Sequence, residues 1–137
     1  MQTTILVIED DPAAVRLLEL MLRSEEYQIL VAADGAQGLE MAQADSPDLI
    51  MLDLMLPGQD GFEVLRQLRS ESRTVDVPVI VISSRAQAVD KHIATEIGAD
   101  AYLTKPYERT ELLHQVRSLL SGRSGKTAAS DSYTAQE

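Results

Sequence analysis

Four short stretches carry side chains whose types and spacing could do chemistry together. They are Glu9-Asp10 after the run Ile5 to Ile8, Asp53 inside LIMLDLMLPG, Ser83 after VIVI, and Lys105-Pro106 shortly after Ala101-Tyr102-Leu103. Asp53 is the most informative. A run this apolar reads as a strand buried on both faces, where an unpaired carboxylate loses its hydration and something must compensate it. Placed at the carboxyl ends of parallel strands, all these residues would share one rim. Glu9, Asp10 and Asp53 would then raise one another's pKa values unless a cation intervened. Oxygen ligands without a neighbouring histidine or cysteine motif favour a hard divalent ion, Mg²⁺, which keeps several waters and leaves room for a phosphate oxygen. Lys105 adds a point positive charge and Ser83 a hydroxyl donor, both suited to phosphoryl oxygens. Phosphoryl transfer needs an in-line nucleophile and charge neutralisation, and Asp53 can supply the nucleophile as an acyl-phosphate former.

The elements that must position these residues alternate along the chain. Strands are predicted at Ile5 to Ile8, Tyr27 to Val31, Leu49 to Leu52, Val77 to Ile82 and Ala101 to Leu103. Between them lie helical patterns. Asp11-Pro12 is an N-cap followed by proline at the first helical position, opening a helix with Val15, Leu18 and Leu22 on one face. Ala36, Leu39 and Ala42 mark a second helix, and Phe62, Leu65 and Leu68 a third, capped by Asp60. Val89, Ile93 and Ile97 mark a fourth, ending at Gly98; Leu112, Leu113, Val116, Leu119 and Leu120 mark a fifth, ending before Gly122. Five strands alternating with five helices imply a doubly wound α/β domain with a parallel sheet. The polar interruption in the second strand and the shortness of the fifth place both at edges, in agreement with the order 2-1-3-4-5.

The chain has 137 residues, enough for one domain, and its 45% apolar and 25% charged content argues against global disorder. A net charge of −10 would repel phosphate backbones and anionic membranes, so nucleic acid is not an expected direct partner. There is no cysteine, which excludes disulfides and thiolate chemistry. No basic leader precedes the first apolar run and no run is long enough to span a bilayer, so a cytoplasmic location is expected. After Leu120 the composition turns to Ser, Gly and Thr, so residues 1–121 are expected to form the domain and 122–137 a flexible tail or linker stub.

In "ILVIEDD", "DLIMLDLMLPGQDGFEVL", "VPVIVISSRAQ" and "GADAYLTKPY", taken in order, the sequence resembles the receiver domain of bacterial two-component response regulators, from about Thr3 to Leu120. The resemblance implies a flavodoxin-like fold of the CheY-like type. It implies that Glu9, Asp10 and Asp53 bind Mg²⁺ with the Met55 backbone carbonyl, and that the bond from Lys105 to Pro106 is cis. It also implies that a sensor histidine kinase or phosphotransfer protein donates phosphoryl to Asp53 while Mg²⁺ and Lys105 stabilise the transferring group. Ser83 and Tyr102 are then the switch residues that alter a surface read by a downstream protein or output domain. The domain would catalyse its own phosphorylation and dephosphorylation, as a switch and not as a metabolic enzyme. Phosphorylation-dependent dimerisation is a further implication: Lys91 and Glu111 fit one ion pair of the dimerising subgroup, whereas Ala101 and Gln115 depart from its pattern.

Three other functions fit parts of the pattern. A receiver-like interaction module that does not cycle phosphate would not need the complete set of acids, hydroxyl and lysine. An aspartyl phosphatase commonly has a second acid two residues after the nucleophile, where this chain has Met55. A flavodoxin-type or dinucleotide carrier would share the fold, but no G-x-G-x-x-G follows the first strand. His92 and His114 stand apart with no metal-ligand partner and are expected to be surface or packing residues.

Overall fold

The computed structural model describes residues 2–129. Its main sheet has five parallel strands, β1 (Thr4–Ile8), β2 (Gln28–Ala32), β3 (Leu49–Asp53), β6 (Val79–Ser83) and β7 (Ala101–Thr104), in the order β2-β1-β3-β6-β7. That is the expected order 2-1-3-4-5, the numbering being displaced by a small separate antiparallel hairpin, β4 (Met55–Leu56) and β5 (Gln59–Asp60). The hairpin was not foreseen. Two residues per strand are too few to show a period-2 pattern, and Pro57-Gly58 marked only a turn, for which Gly58 supplies φ +69.

Period-2 alternation sorts the sheet into two cores. Ile5, Val7, Leu49, Met51, Ile80 and Ile82 face α1 (Pro12–Leu22) and α5 (Arg109–Ala129). Leu6, Ile8, Ile50, Leu52, Val79 and Val81 face α2 (Gly35–Asp45), α3 (Gly61–Ser70) and α4 (Ala88–Ile97). All residues of β3 and β6 are buried, whereas β2 and β7 are largely half-buried, as edge strands should be. Asp11 accepts from the Ala13 N–H at 3.0 Å and Asp60 from the Phe62 N–H at 2.9 Å, so both are the expected N-caps.

All five expected helices form, but the buried faces of two depart from the apolar pattern and the end of α5 is corrected. On α2 the buried positions are Gly35, Gly38 and Ala42, and Ala36 is exposed. A Cβ on Gly38 would lie 2.5 Å from Ile8 Cδ1, so the helix packs on β1 at a distance that an apolar-residue count cannot register. On α4, Val89 is exposed and Asp90 buried, because an ion pair makes burial of the acid tolerable. On α5 the helix continues past Gly122 to Ala129. Gly122 does not adopt positive φ, and nothing lies within 4 Å of its Cβ direction, so it does not act as the expected stop. The rest of the expected tail, 130–137, lies outside the described residues.

Arg69 near the end of α3 ties three connections together. Its guanidinium donates to the carbonyls of Thr74, Val75, Val77 and Gly98 and pairs with Asp100 at 3.0 Å. Asp100 also accepts the Val79 N–H at 2.9 Å. The start of β6 and the turn before β7 are thereby held in register, at the end of the sheet opposite the rim that carries the acids. Among the described residues no helix is long and apolar enough to cross a membrane.

Candidate functional site

Each chemistry-bearing residue lies at a strand end. Glu9 and Asp10 follow β1, Asp53 ends β3, Ser83 ends β6 and Lys105 follows β7. The fold brings them together: one carboxylate oxygen from each of Glu9, Asp10 and Asp53 lies within 4.8 Å of the others. Glu9 and Asp53 are buried, at 2% and 4% exposure, while Asp10 is exposed.

Lys105 is the cation that answers the two buried acids. Its Nζ donates to Glu9 Oε1 at 2.9 Å and to Asp53 Oδ2 at 3.0 Å. The other oxygens are held by the main chain, Asp53 Oδ1 by the Met55 N–H at 2.8 Å and Glu9 Oε2 by the Asp11 N–H at 3.1 Å. Burial nevertheless pushes the Glu9 carboxyl above its ordinary value; the Lys105 and Asp11 hydrogen bonds offset this only in part, and the Asp53 charge adds to the rise. Burial also opposes the charge on Lys105, but its contacts with Glu9 and Asp53 outweigh it and raise its pKa. Counted formally, three carboxylates and one ammonium leave two negative charges in one place. The donor set is all oxygen, so the residues fit a hard divalent cation in both charge and chemistry.

Ser83 is fully buried, and its Oγ accepts from the Arg85 N–H at 3.0 Å. Tyr102 is half-buried against the α2–α4 core, and its hydroxyl donates to the Arg85 carbonyl at 2.7 Å. The backbone of a single residue thus joins the hydroxyl at the rim to the aromatic on the edge strand. The Arg85 guanidinium lies 5.5 Å from the Phe62 ring centroid and pairs with Asp90 at 3.0 Å. No sequence pattern announced Asp90, since an acid in the first turn of a helix normally reads as a solvated, dipole-favoured residue. Around the turn that follows Asp53, a cavity of about 530 Å³ is lined by Leu54, Met55, Pro57, Gln59, Phe62 and Arg85 among others. The bond from Lys105 to Pro106 is cis, as expected. His92 and His114 are exposed and do not join the site.

Tyr107, two residues beyond Lys105, is buried, and burial pushes its phenol up to about 12 from 10.0. Below pH 10 the phenol is neutral in both folded and unfolded chains, so it contributes no pH dependence. Between 10.0 and about 12 the unfolded chain loses this proton while the folded one keeps it, so stability falls as pH rises, by on the order of 3 kcal/mol in total. Urea melts below and above pH 10 are expected to show this fall in the native protein and a shallower one in Tyr107→Phe. Equal slopes in the two would remove Tyr107 as its cause.

A doubly wound domain with paired acids, an aspartate, a hydroxyl and a lysine at successive strand ends defines a class. The family model described as the response regulator receiver domain matches residues 5–117, and the chain belongs to that family. It is 47% identical over 116 residues to the DNA-binding dual master transcriptional regulator RpaA of Synechocystis sp., covering 85% of this chain and 48% of that protein. It is 41% identical over 118 residues to the response regulator ArlR of Staphylococcus saprophyticus, covering 86% and 52%. The chain therefore spans about half the length of these relatives. Among solved structures, the receiver domain of sensor histidine kinase PA1611 from Pseudomonas aeruginosa, which holds a magnesium ion in its active-site cleft, superposes with a TM-score of 0.81 at 31% identity, covering 88% of this chain and 99% of that one.

Proposed function

We propose that Asp53 accepts a phosphoryl group from a sensor histidine kinase or phosphotransfer protein in a Mg²⁺-dependent reaction, and that the resulting acyl phosphate switches a protein-interaction surface. The observation that carries this reading is the charge arrangement: two buried carboxylates and an exposed one meet a single ammonium, leaving two negative charges where a divalent ion would balance them. Glu9, Asp10, Asp53 and the Met55 backbone carbonyl would hold the ion. Bound there, Mg²⁺ would neutralise the developing charge on the phosphoryl oxygens.

The chain's own residues do the rest. An Asp53 oxygen attacks phosphorus, the P–N bond to the donor imidazole breaks, and its electron pair stays on the ring nitrogen as the new P–O bond forms. Lys105, already at hydrogen-bond distance from Asp53, accompanies the negative charge onto the phosphoryl group. Ser83 turns its hydroxyl from the Arg85 N–H to a phosphoryl oxygen. Because the Arg85 carbonyl holds the Tyr102 hydroxyl, that turn reaches the edge strand and shifts the population of two surface states. The surface is the face of α4, β7 and α5 carrying Tyr102, Lys91 and Glu111. In this reading the output is protein contact, with a downstream protein, an output domain reached through 122–137, or a second copy.

Intact mass after incubation with a small-molecule phosphodonor tests the reading. A gain of one phosphoryl group that requires Mg²⁺ is the expected result. No gain from either small donors or a phosphorylated histidine protein would leave an interaction module that does not cycle phosphate.

Mg²⁺ is also expected to stabilise the fold by relieving repulsion among Glu9, Asp10 and Asp53. At a hundredfold excess over its Kd the gain is about 2.7 kcal/mol. Thermal melts that do not move with added Mg²⁺ would count against the ion binding this site.

A further inference from the structure

Phosphoryl chemistry uses the acids, Ser83, Lys105 and Tyr102 but leaves Gln59 without a role. Gln59 lies on β5 opposite Leu56, and its Oε1 accepts from the Gly35 N–H at 2.6 Å. Gly35 is the first residue of α2, so its N–H is one of the donors that a helix leaves without an internal partner. The Asp34 cap does not serve it, since Asp34 Oδ1 accepts instead from the Gln37 N–H at 2.7 Å. The joint is tight: a Cβ on Gly35 would stand 2.4 Å from Gln59 Oε1 and 2.7 Å from Val64 Cγ2.

The joint lies between the two halves of the acid rim. On one side, the Glu9 N–H donates to the Ala32 carbonyl at 3.0 Å, fixing the first acid to the chain that leads into α2. On the other, Met55 faces Asp60 in the hairpin and donates its N–H to Asp53 Oδ1. A hairpin of two-residue strands has too little ladder to hold its own geometry. Its side-chain tether to α2 is Gln59, which closes a circuit from Glu9 through Ala32, Gly35 and the hairpin to Met55 and Asp53.

We propose that Gln59 is a positioning residue for the Mg²⁺ site: its amide oxygen holds the β4–β5 hairpin against the N-terminus of α2 and so fixes the Met55 backbone carbonyl beside the acids. The inference rests on the Mg²⁺ reading given above. A neutral side chain performs the task without changing the charge balance of the rim.

The test is calorimetric Mg²⁺ titration of the full chain, with the Met55 amide followed by NMR, in the native protein and four variants. Gln59→Ala and Gln59→Met, the second keeping the length of the stem while losing the acceptor, are expected to raise the Kd about tenfold and to shift the Met55 amide. Gln59→Glu keeps an acceptor at the same reach and is expected to restore the Kd to within about threefold. Gln37→Ala removes the acceptor of the Ala33 N–H at the same helix end without touching the hairpin, and is expected to leave the Kd unchanged. A native Kd in Gln59→Met, equal weakening in Gln37→Ala, or no restoration by Gln59→Glu would overturn the positioning role while leaving Mg²⁺ binding intact. A native protein that does not bind Mg²⁺ would overturn the metal reading, and the role with it.

Discussion

Asp53→Asn is expected to abolish phosphoryl uptake while leaving the fold in place. The amide retains an oxygen that can accept the Met55 N–H, the contact that holds Asp53 Oδ1, so the turn after β3 keeps its hydrogen bond. What disappears is the carboxylate proposed as the nucleophile and one of the negative charges that would balance a divalent ion. With its oxygen on the Met55 N–H, the amide turns its NH2 group towards Lys105; a donor cannot accept from the ammonium, so Glu9 alone is left to hold it. The variant should therefore show no mass gain with any phosphodonor and weaker Mg²⁺ binding, with a native circular dichroism spectrum. A mass gain equal to that of the native protein would place the acceptor elsewhere.

Lys105→Ala has the second largest expected effect, and it should separate two events that Lys105 joins. Lys105 follows the edge strand that carries Tyr102, and its main-chain N–H donates to the Ser83 carbonyl at 2.8 Å. Its ammonium is the contact through which β7 feels the charge on Asp53. Without it, a Mg²⁺ ion held by the acids would still supply charge neutralisation to the phosphoryl oxygens, so Asp53 should still be modified, though more slowly. The change in charge would no longer pull on β7, and the phosphorylation-induced NMR shifts around Tyr102 and α4 should be lost. Removing the ammonium also leaves Glu9 and Asp53 facing each other, at a cost of about 2 kcal/mol in stability. Shifts identical to those of the native protein would show that Ser83 and Arg85 carry the signal without the lysine.

The positions of the acids, Ser83 and Lys105 were legible because each follows an apolar run, and a parallel sheet places such residues on one rim whatever the details of packing. The N-caps Asp11 and Asp60 were legible because capping is a local interaction within a few residues. The exposure of Val89 and the burial of Asp90 were not legible, for the converse reason. Periodicity locates a helix face only to within a residue, and the Arg85 ion pair that makes Asp90 burial tolerable comes from the preceding loop. Gly35 and Gly38 carry no hydropathy signal, and their meaning lies in what a Cβ would strike on β1, β5 and α3.

What the sequence determined by itself was therefore the order of elements and the set of polar residues that meet at one rim. Hydrophobic period and strand-end chemistry are properties of the chain read along its length. Only the tertiary structure decided which oxygen meets which donor: Lys105 shared between Glu9 and Asp53, Arg85 joining Ser83 to Tyr102, and Gln59 bonded to Gly35. Those partners are 96, 52 and 24 residues apart for the first two and the last of these side-chain contacts. A hydrogen bond depends on distances of a few tenths of an ångström, which are set by how sheet, helices and loops pack together.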